Sequence, residues 1–321
     1  MVTAHRARLT LSAWILLASS IAGSASELKF EHVMSIGSEG DGPGQFQYIE
    51  DFAFTRDGHL LATDAAHAWV QVFDRSSGKF MSRFGGKGDQ EAHLDKPEGI
   101  AVDPDGNIFV ADYRTGFIKK YDVQYNWLKT FSSYGSEPGQ NMMSEFMDIY
   151  AGRLYVPDIG NHRVNVFDLD GNHLFNFAES GSATGQLNNP EAAKASSDGR
   201  IYVSDLKNNR MQVFDRDGKF LFGWGSSGSE PGQFRSPAGV AFDKDDNVYV
   251  TEIGNNRIQV FDKTGKFLTM WGRKGTGDGE FGNLHGLIVH KETGWVYVAD
   301  TANNRIQVFR PTAATVGSAT R

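Results

Sequence analysis

The feature that most constrains this chain is a phrase that recurs along it. Residues 255–262 are NNRIQVFD, and residues 303–309 repeat NNRIQVF. Extended backwards, the phrase becomes a 16-residue frame of an apolar run, an acidic residue, a turn and a second alternating run. The frame occurs at 59–74, 107–122, 153–168, 200–215, 247–262 and 295–310. Self-similarity at a fixed period is the signature of a repeat architecture, so the fold is built from six equivalent units.

Each copy of the frame contains one acidic residue at the same place, which we call the anchor acid. Successive anchor acids are 46 to 48 residues apart. They are Asp64, Asp112, Asp158, Asp205, Glu252 and Asp300. Copies of this length fill the chain from about residue 30 to residue 310.

Every copy predicts four β-strands, named a to d. Strand a is exemplified by KPEGIAVD (96–103), b by NIFVAD (107–112), c by RIQVFD (257–262) and d by KFLTMWG (266–272). Turn residues such as Thr264-Gly265 separate strand c from strand d. Four antiparallel strands in about 47 residues are typical of a propeller blade, and no segment has a helical period of useful length.

The two ends of the repeat region predict a closed ring. FEHVMSIG (30–37) matches strand d, whereas the last copy ends with its strand c, RIQVF (305–309). An N-terminal strand that completes the last blade would remove both exposed sheet edges. We therefore predict an all-β fold, a single six-bladed β-propeller of four-stranded blades over residues 27–310. Residues 311–321 are small and polar and are predicted to form a disordered tail.

The N-terminus has the three-part pattern of a secretory signal peptide. Arg6 and Arg8 precede an apolar stretch at 9–23, and the small residues Ser24, Ala25 and Ser26 precede Glu27. We predict cleavage after residue 26 and export to a periplasm or to the outside of the cell. The alternative is an uncleaved anchor, although the apolar stretch is short for a membrane span. No other segment predicts a transmembrane helix, and the chain contains no cysteine.

Charge argues against a nucleic-acid partner. The net charge is −7, and no run of basic residues is longer than Lys119-Lys120. Removal of residues 1–26, with their two arginines, makes the mature chain more acidic. We expect a monomer whose partner is a protein, a peptide or a small molecule.

The repeated pattern resembles the NHL repeat. Residues 97–103, PEGIAVD, with the NIFVAD and NNRIQVFD segments, have the form of that motif in all six copies. The resemblance implies a six-bladed propeller. It does not fix the function, because the family includes protein- and RNA-interaction modules, extracellular sensors and a peptide-amidating lyase that binds metal in its central channel.

A site is expected on the face where strand a begins and strand b ends, near the axis. One position at the start of strand a points toward this axial mouth in each blade. In blade order it is Glu50, Glu98, Met147, Glu191, Ala238 and His285. The polar members, Glu50, Glu98, Glu191 and His285, are candidate ligands of a cation.

Crowded carboxylates must take up protons, remain hydrated or share a cation. A hard cation such as Ca²⁺ is one prediction. A hydrated rim without a ligand, or a transition-metal site, are the alternatives. The lyase resemblance implies several histidine ligands of Zn²⁺, whereas this sequence has only His285 at these positions, which argues against zinc and against the lyase activity.

The turns between strands b and c suggest a second candidate surface. Copies three to six have arginine five residues after the anchor acid, and we interpret these arginines as structural partners of that acid. They are Arg163, Arg210, Arg257 and Arg305. Copies one and two have Trp69 and Phe117 there, with His67, Tyr113 and Arg114 nearby. These five residues are predicted to form a ligand patch, with ordinary drift of the repeat as the alternative.

Two functions remain open from the sequence. The first is an exported binding, sensor or scaffold propeller without turnover, because no nucleophile, zinc-protease or phosphate-loop motif is present. The second is a metal-assisted lyase or hydrolase at the axial mouth. In that case His285 and the glutamates would be ligands or a general base, and Tyr113 or Arg114 would orient the substrate.

Overall fold

The structure is a computed structural model and describes residues 28–312. The predicted signal segment 1–26 and tail residues 313–321 lie outside the described residues. Within them the chain forms six four-stranded antiparallel sheets, which are the blades. The all-β six-bladed propeller predicted from the repeat is confirmed.

The strands of the six blades agree with the four predicted runs in each copy to within about a residue at most ends, and a short parallel pair at residues 273–274 and 280–281 adds two strands that were not predicted. In chain order they are β1 Lys29–Ile36, β2 Ile49–Phe54, β3 Leu60–Asp64, β4 Trp69–Phe73, β5 Phe80–Gly85, β6 Pro97–Val102, β7 Ile108–Asp112, β8 Ile118–Tyr121, β9 Trp127–Phe131, β10 Asp148–Tyr150, β11 Arg153–Asp158, β12 Arg163–Asp168, β13 His173–Phe177, β14 Pro190–Ala195, β15 Ile201–Asp205, β16 Arg210–Phe214, β17 Phe220–Trp224, β18 Pro237–Phe242, β19 Val248–Glu252, β20 Arg257–Phe261, β21 Phe267–Trp271, β22 Arg273–Lys274, β23 Glu280–Phe281, β24 Leu284–Val289, β25 Val296–Asp300 and β26 Arg305–Thr312. Single 3₁₀ turns follow three of the b strands, at Ile159–Asn161, Leu206–Asn208 and Thr301–Asn303. No helix within residues 28–312 has the length and apolarity to cross a membrane.

The N-terminal strand closes the ring as predicted. Strand β1 is the outermost strand of blade six, in the order β1-β26-β25-β24. Lys29 lies opposite Thr312 and Ile36 opposite Ile306. The predicted boundary at residue 310 was too early, because β26 continues to Thr312 through its pairing with β1.

The innermost strands of neighbouring blades pack against one another around the axis, from β2 through β6, β10, β14, β18 and β24 back to β2. This packing explains a glycine at the start of several inner strands. A Cβ atom at Gly286 would lie 2.1 Å from the carbonyl oxygen of Glu50, and one at Gly99 would lie 2.0 Å from that of Glu145. Backbones therefore approach closely where the site residues are held.

The apolar core lies between neighbouring blades. One cluster joins Tyr249 and Val260 of blade five to Val296 and Val298 of blade six. Equivalent clusters lie between other neighbouring pairs of blades within the described residues. Because each blade buries one face against the next, the position of every inner strand is fixed by two neighbours.

The anchor acids tie each blade together at the site face. Asp205 is fully buried and accepts hydrogen bonds from the Asn188 N–H at 2.7 Å and from Arg210 Nε at 2.7 Å. Asn208 and Gln212 also donate to it. The Arg210 guanidinium also donates to backbone carbonyls of the preceding loop. Blades three, five and six repeat this network around Asp158, Glu252 and Asp300, so the predicted structural role of the arginines is confirmed.

Candidate functional site at the axial mouth

The predicted site face is formed by the starts of the inner strands and the ends of the second strands. Ile49 lies opposite Asp64, and Pro97 lies opposite Asp112. The four polar residues predicted from the triplets do come together at this end of the axis. His285 of blade six and Glu50 of blade one are joined by a 2.7 Å hydrogen bond between Nδ1 and Oε2.

Glu98, the next predicted residue, is buried with 1% of its surface exposed. One carboxylate oxygen, Oε1, forms a short ion pair with Lys96 Nζ. The other oxygen, Oε2, is buried and has no hydrogen-bond partner. A buried acceptor without a partner is costly, so this oxygen marks a place where a donor group would be stabilised.

Blade three contributes a residue that the sequence analysis missed. The triplet alignment placed Met147 at the mouth of this blade, which is wrong, because Met147 is fully buried in the apolar core. Glu145 occupies that place, and its carboxyl group lies beside that of Glu191. Two neighbouring carboxyl groups repel each other when both are charged, so their closeness favours uptake of a proton.

The cause of this difference is a pairing between blades. The Phe146 N–H donates to the Glu191 carbonyl oxygen at 3.1 Å, and the Ala193 N–H donates to the Phe146 carbonyl oxygen at 3.0 Å. The start of the inner strand of blade three therefore pairs with blade four, and β10 is only three residues long. A spacing signal was present in the sequence: Glu50, Glu98 and Glu191 precede their anchor acids by 14 residues, and Glu145 precedes Asp158 by 13.

The surroundings at the axial mouth change the pKa values of the ionisable residues that lie there. Burial, together with Glu50, raises the pKa of Glu98 to about 8, against the opposing effect of Lys96. Burial and the neighbouring Glu191 raise the pKa of Glu145 well above its ordinary value, and burial also raises that of Glu191. Burial alone lowers the pKa of His285, but Glu50, Glu191 and Glu98 outweigh it and raise the value. Near neutral pH the site therefore holds exchangeable protons.

Two tyrosines flank the carboxylates. The Lys96 ammonium lies 4.1 Å from the ring centroid of Tyr113 and 5.6 Å from that of Tyr48. The Tyr48 ring also contacts His285 edge to face, with centroids 6.0 Å apart. Burial, followed by the nearby glutamates, raises the pKa of both tyrosines, so both phenols stay protonated at neutral pH.

The described residues at the axial mouth are not arranged as a complete set of metal ligands. Among residues 28–312 no group of three or more histidine, aspartate or glutamate side chains is placed to hold a metal ion. A zinc centre would need more nitrogen or sulfur ligands than His285 supplies, and the Nδ1 atom of His285 is already bonded to Glu50. The calcium prediction is not tested by this geometry and stays a prediction.

The second predicted surface divides into separate parts. His67 is bonded through Nδ1 to the anchor acid Asp64 at 2.7 Å and through Nε2 to Asp41 at 2.8 Å. It therefore takes the place of the asparagine that bonds the anchor acid in blades three to six. Trp69, in the arginine position, stacks on His67 at 4.4 Å, with the Arg83 guanidinium 3.4 Å from its ring centroid. These contacts give both residues a structural role in blade one.

The three residues of this predicted surface that belong to blade two, Tyr113, Arg114 and Phe117, have different surroundings. Tyr113 lies at the mouth against Lys96. Arg114 is exposed and forms a 3.3 Å ion pair with Asp95. Phe117 is half-buried, and its carbonyl oxygen accepts a hydrogen bond from Asp112. No hydrogen bond, ion pair or ring contact within the described part of the chain joins these residues directly to the His67–Trp69 stack, so the five do not form one contact cluster there.

A cavity of about 600 Å³ occupies the opposite end of the axis. It is lined by the later residues of the inner strands, including Phe52, Ile100, Val240 and Leu287. Lys194, which also lines it, donates to the Met147 carbonyl at 2.9 Å and lies 3.4 Å from Asp51 Oδ2. This buried ion pair joins blade four to blade one across the channel.

The fold and site define a six-bladed β-propeller with a polar axial mouth. A protein-family model described as a six-bladed β-propeller matches residues 242–313, and the family model of the NHL repeat matches residues 94–121 and 187–214. The resemblance to the NHL repeat drawn from the sequence is confirmed by these matches.

A similar curated protein is named as a probable peptidyl-α-hydroxyglycine α-amidating lyase of Caenorhabditis elegans. It is 30% identical over a match of 137 residues, and the match covers 39% of this chain and 38% of the relative. The match thus spans well under half the length of that relative.

Several solved structures share the fold. A streptogramin B lyase superposes with a TM-score of 0.62 at 13% identity, over 89% of this chain and 98% of its own. The virginiamycin B lyase of Staphylococcus aureus gives 0.61 at 12%, over 88% and 99%. A Bacteroides thetaiotaomicron protein of unknown function gives 0.69 at 16%, over 89% and 77%. At these identities the likeness concerns the fold alone.

Proposed function

We propose that this protein is an exported binding propeller whose axial mouth receives a positively charged group of its ligand. The observation that carries the proposal is the convergence of Glu50, Glu98, Glu145 and Glu191 on one end of the axis, with the Glu98 Oε2 atom buried and unpartnered. Carboxylates in a low-dielectric pocket attract cations more strongly than carboxylates in water.

The site is poised to exchange protons for a cation. Glu98 and Glu145 have raised pKa values because they are buried near other carboxylates. A cation that binds between them stabilises their charged forms and releases these protons. The ligand would be a protein, a peptide or a small molecule that reaches the mouth over the loops of the site face.

Export belongs to the same proposal and is supported by the pattern of residues 1–26, a basic segment followed by an apolar one and small residues. N-terminal sequencing of the protein recovered from its native host tests this part: a start near Glu27 supports it, and an intact N-terminus contradicts it.

The binding proposal is tested by calorimetric titration of the purified protein with CaCl₂, ZnCl₂ and butylammonium chloride. We expect at least one of these cations to bind. Glu98→Gln and Glu191→Gln should each weaken that binding by about tenfold or more, since each removes a carboxylate that faces the cation. Glu137→Gln, on an exposed loop of the same face, is the matched control and should bind normally. Absence of binding, or binding that all three variants retain, contradicts the proposal.

A metal-assisted lyase is the second candidate, because the relative that matches part of this chain is named as an amidating lyase. The His285–Glu50 hydrogen bond is the geometry that favours it, since a carboxylate orients a histidine for proton transfer. Incubation with a peptidyl-α-hydroxyglycine, with and without added Zn²⁺ or Ca²⁺, tests it. Amide formation that falls at least about a hundredfold in His285→Ala supports turnover; no amide under any condition rejects this candidate and leaves the binding proposal intact.

A further inference from the structure

The mouth contains an ammonium group that belongs to the protein itself. Lys96 Nζ is paired with Glu98 Oε1 and lies over the face of Tyr113, with Tyr48 on another side. The Lys96 side chain is 26% exposed, whereas that of Glu98 is 2% exposed. The Lys96 side chain therefore extends from the solvent side of the mouth to the buried carboxylate of Glu98.

The surroundings of this ammonium have the composition of an amine-binding site. Tyrosine faces attract cations through the ring quadrupole, and aromatic cages combined with a carboxylate are used to recognise ligand ammonium groups. The unpartnered Oε2 atom of Glu98 offers a second acceptor. An ammonium group carries three N–H donors, so a single ammonium can donate to both oxygens of the Glu98 carboxylate at once.

The propeller does not need a lysine at this position. The corresponding residues in blades four, five and six are Asn189, Ser236 and Asn283, which adopt left-handed backbone angles with φ between 50° and 54°. The backbone of Lys96 is held independently of its side chain, because its N–H is directed at Asp112 and its carbonyl accepts from the Tyr113 N–H. The side chain is therefore free to leave without loss of the turn.

We propose that Tyr48, Tyr113 and Glu98 form a cage for an organic ammonium group, and that the Lys96 ammonium is an internal occupant which the ligand displaces. This inference rests on the proposed function and names its ligand class as an alkyl amine. The same chemistry is offered by a free amine and by the lysine side chain of a peptide. Glu50, Glu145, Glu191 and His285 face the same space and set its charge.

The test compares Lys96→Met with the unaltered protein in calorimetric titrations at constant pH. Butylammonium represents a free amine, and Nα-acetyl-lysine methylamide represents a peptide lysine. Removal of an internal competitor that fills the cage most of the time should tighten binding of one or both by about tenfold or more. The double variant Lys96→Met/Tyr113→Leu should lose that gain, and 1-butanol, which lacks the charge, should not bind.

Lys87→Met is the matched control. Lys87 is exposed on a loop of the same face, so its replacement removes one positive charge without opening the cage. Equal amine affinities in Lys96→Met and Lys87→Met overturn the inference, since they show that only the general charge matters. Tight binding of Ca²⁺ but of neither amine overturns it as well, and leaves the proposed function standing. If neither the unaltered protein nor any variant binds any of these cations, both this inference and the proposed function are contradicted.

A measurement on the unaltered protein tests the inference even if the Lys96 variants do not fold. Titration with butylammonium to high concentration should shift the ring resonances of Tyr113 and Tyr48 in the NMR spectrum. Those of Tyr134, which is 52% exposed on another loop, should stay in place. Equal shifts of all three, or shifts of none, contradict displacement of Lys96 from the cage.

Discussion

At the scale of the residue, one repeated position serves both the fold and the site. In blades three to six a buried anchor acid accepts hydrogen bonds from an asparagine, an arginine and a strand residue. Blade one keeps the bond but changes the donor, since His67 replaces the asparagine. Blade two has Lys119 in the strand position, and its ammonium donates to the Glu91 and His93 carbonyls instead. A changed residue type at a repeat position is therefore weak evidence for a ligand site.

Arg210→Met tests the importance of these networks. Arg210 is 21% exposed and its partner Asp205 is fully buried. Loss of the guanidinium leaves a buried carboxylate with less compensation and several carbonyls without a donor, so we expect the free energy of unfolding to fall by about 2–4 kcal/mol. Urea unfolding measures it. Arg216→Met, which breaks an exposed pair with Asp217, should leave stability nearly unchanged; equal losses would refute a special role for the anchor network.

At the scale of the element, closure depends on one strand that is remote in sequence from the blade it completes. Strand β1 pairs with β26 along its whole length, and Arg310 forms a 2.8 Å ion pair with Glu31, which lies directly opposite. Their separation of 279 residues means that the pairing joins the two ends of the ring. The stability of the propeller should therefore depend on this contact more than on any single turn.

A disulfide across this pair tests closure. The chain has no cysteine, so Glu31→Cys with Arg310→Cys introduces a single possible bridge. Oxidation should stabilise the protein by about 3–5 kcal/mol, because closing so long a loop restricts the unfolded chain. The comparison is thermal unfolding of the oxidised and reduced forms, with Glu31→Ser/Arg310→Ser as control. Failure of the two thiols to join in the folded protein would exclude the pairing.

The sequence predicted the blades better than the site, and the reason lies in how each is encoded. Strand periodicity and turns are local, so the four strands of each copy and the closing strand could be inferred from the 47-residue spacing. Glu145 was indicated only by its spacing of 13 residues from Asp158, because its exact place depends on Phe146 pairing with a neighbouring blade. The ion pair of Lys96 with Glu98 also depends on side-chain direction, which a repeat alignment does not contain.

At the scale of the whole molecule, the axis is a column of buried polar groups between two openings. The mouth contains four glutamates and His285, and below it Asp51 pairs with Lys194 across the channel. Burial raises the pKa of Asp51 to about 6 despite Lys194. These groups belong to five of the six blades, so their charge state affects how closely the blades pack around the axis.

Stability should therefore fall as the pH rises from about 5 to about 9. Folding raises the pKa values of Asp51 and Glu98 to about 6 and about 8, so the protonated folded state is favoured below these values and its advantage is lost as pH rises through them. His285, whose pKa is also raised, acts in the same direction. We expect a loss of roughly 2–5 kcal/mol in urea unfolding. Glu98→Gln should flatten the upper part of the curve, and Glu137→Gln should not; a maximum near pH 8 in the unaltered protein would contradict the prediction.

The convergence of the glutamates on the axis is tested most directly by their own titration. In protein labelled with ¹³C at the glutamate side-chain carboxyl carbon, NMR spectra followed from pH 4 to pH 10 report each group, and single Glu→Gln variants assign the signals. We predict that the Glu98 signal titrates at about 8 and the Glu145 signal well above its ordinary range. If Glu98, Glu145 and Glu191 all titrate near 4.5, as separate hydrated carboxylates do, they do not share a buried mouth.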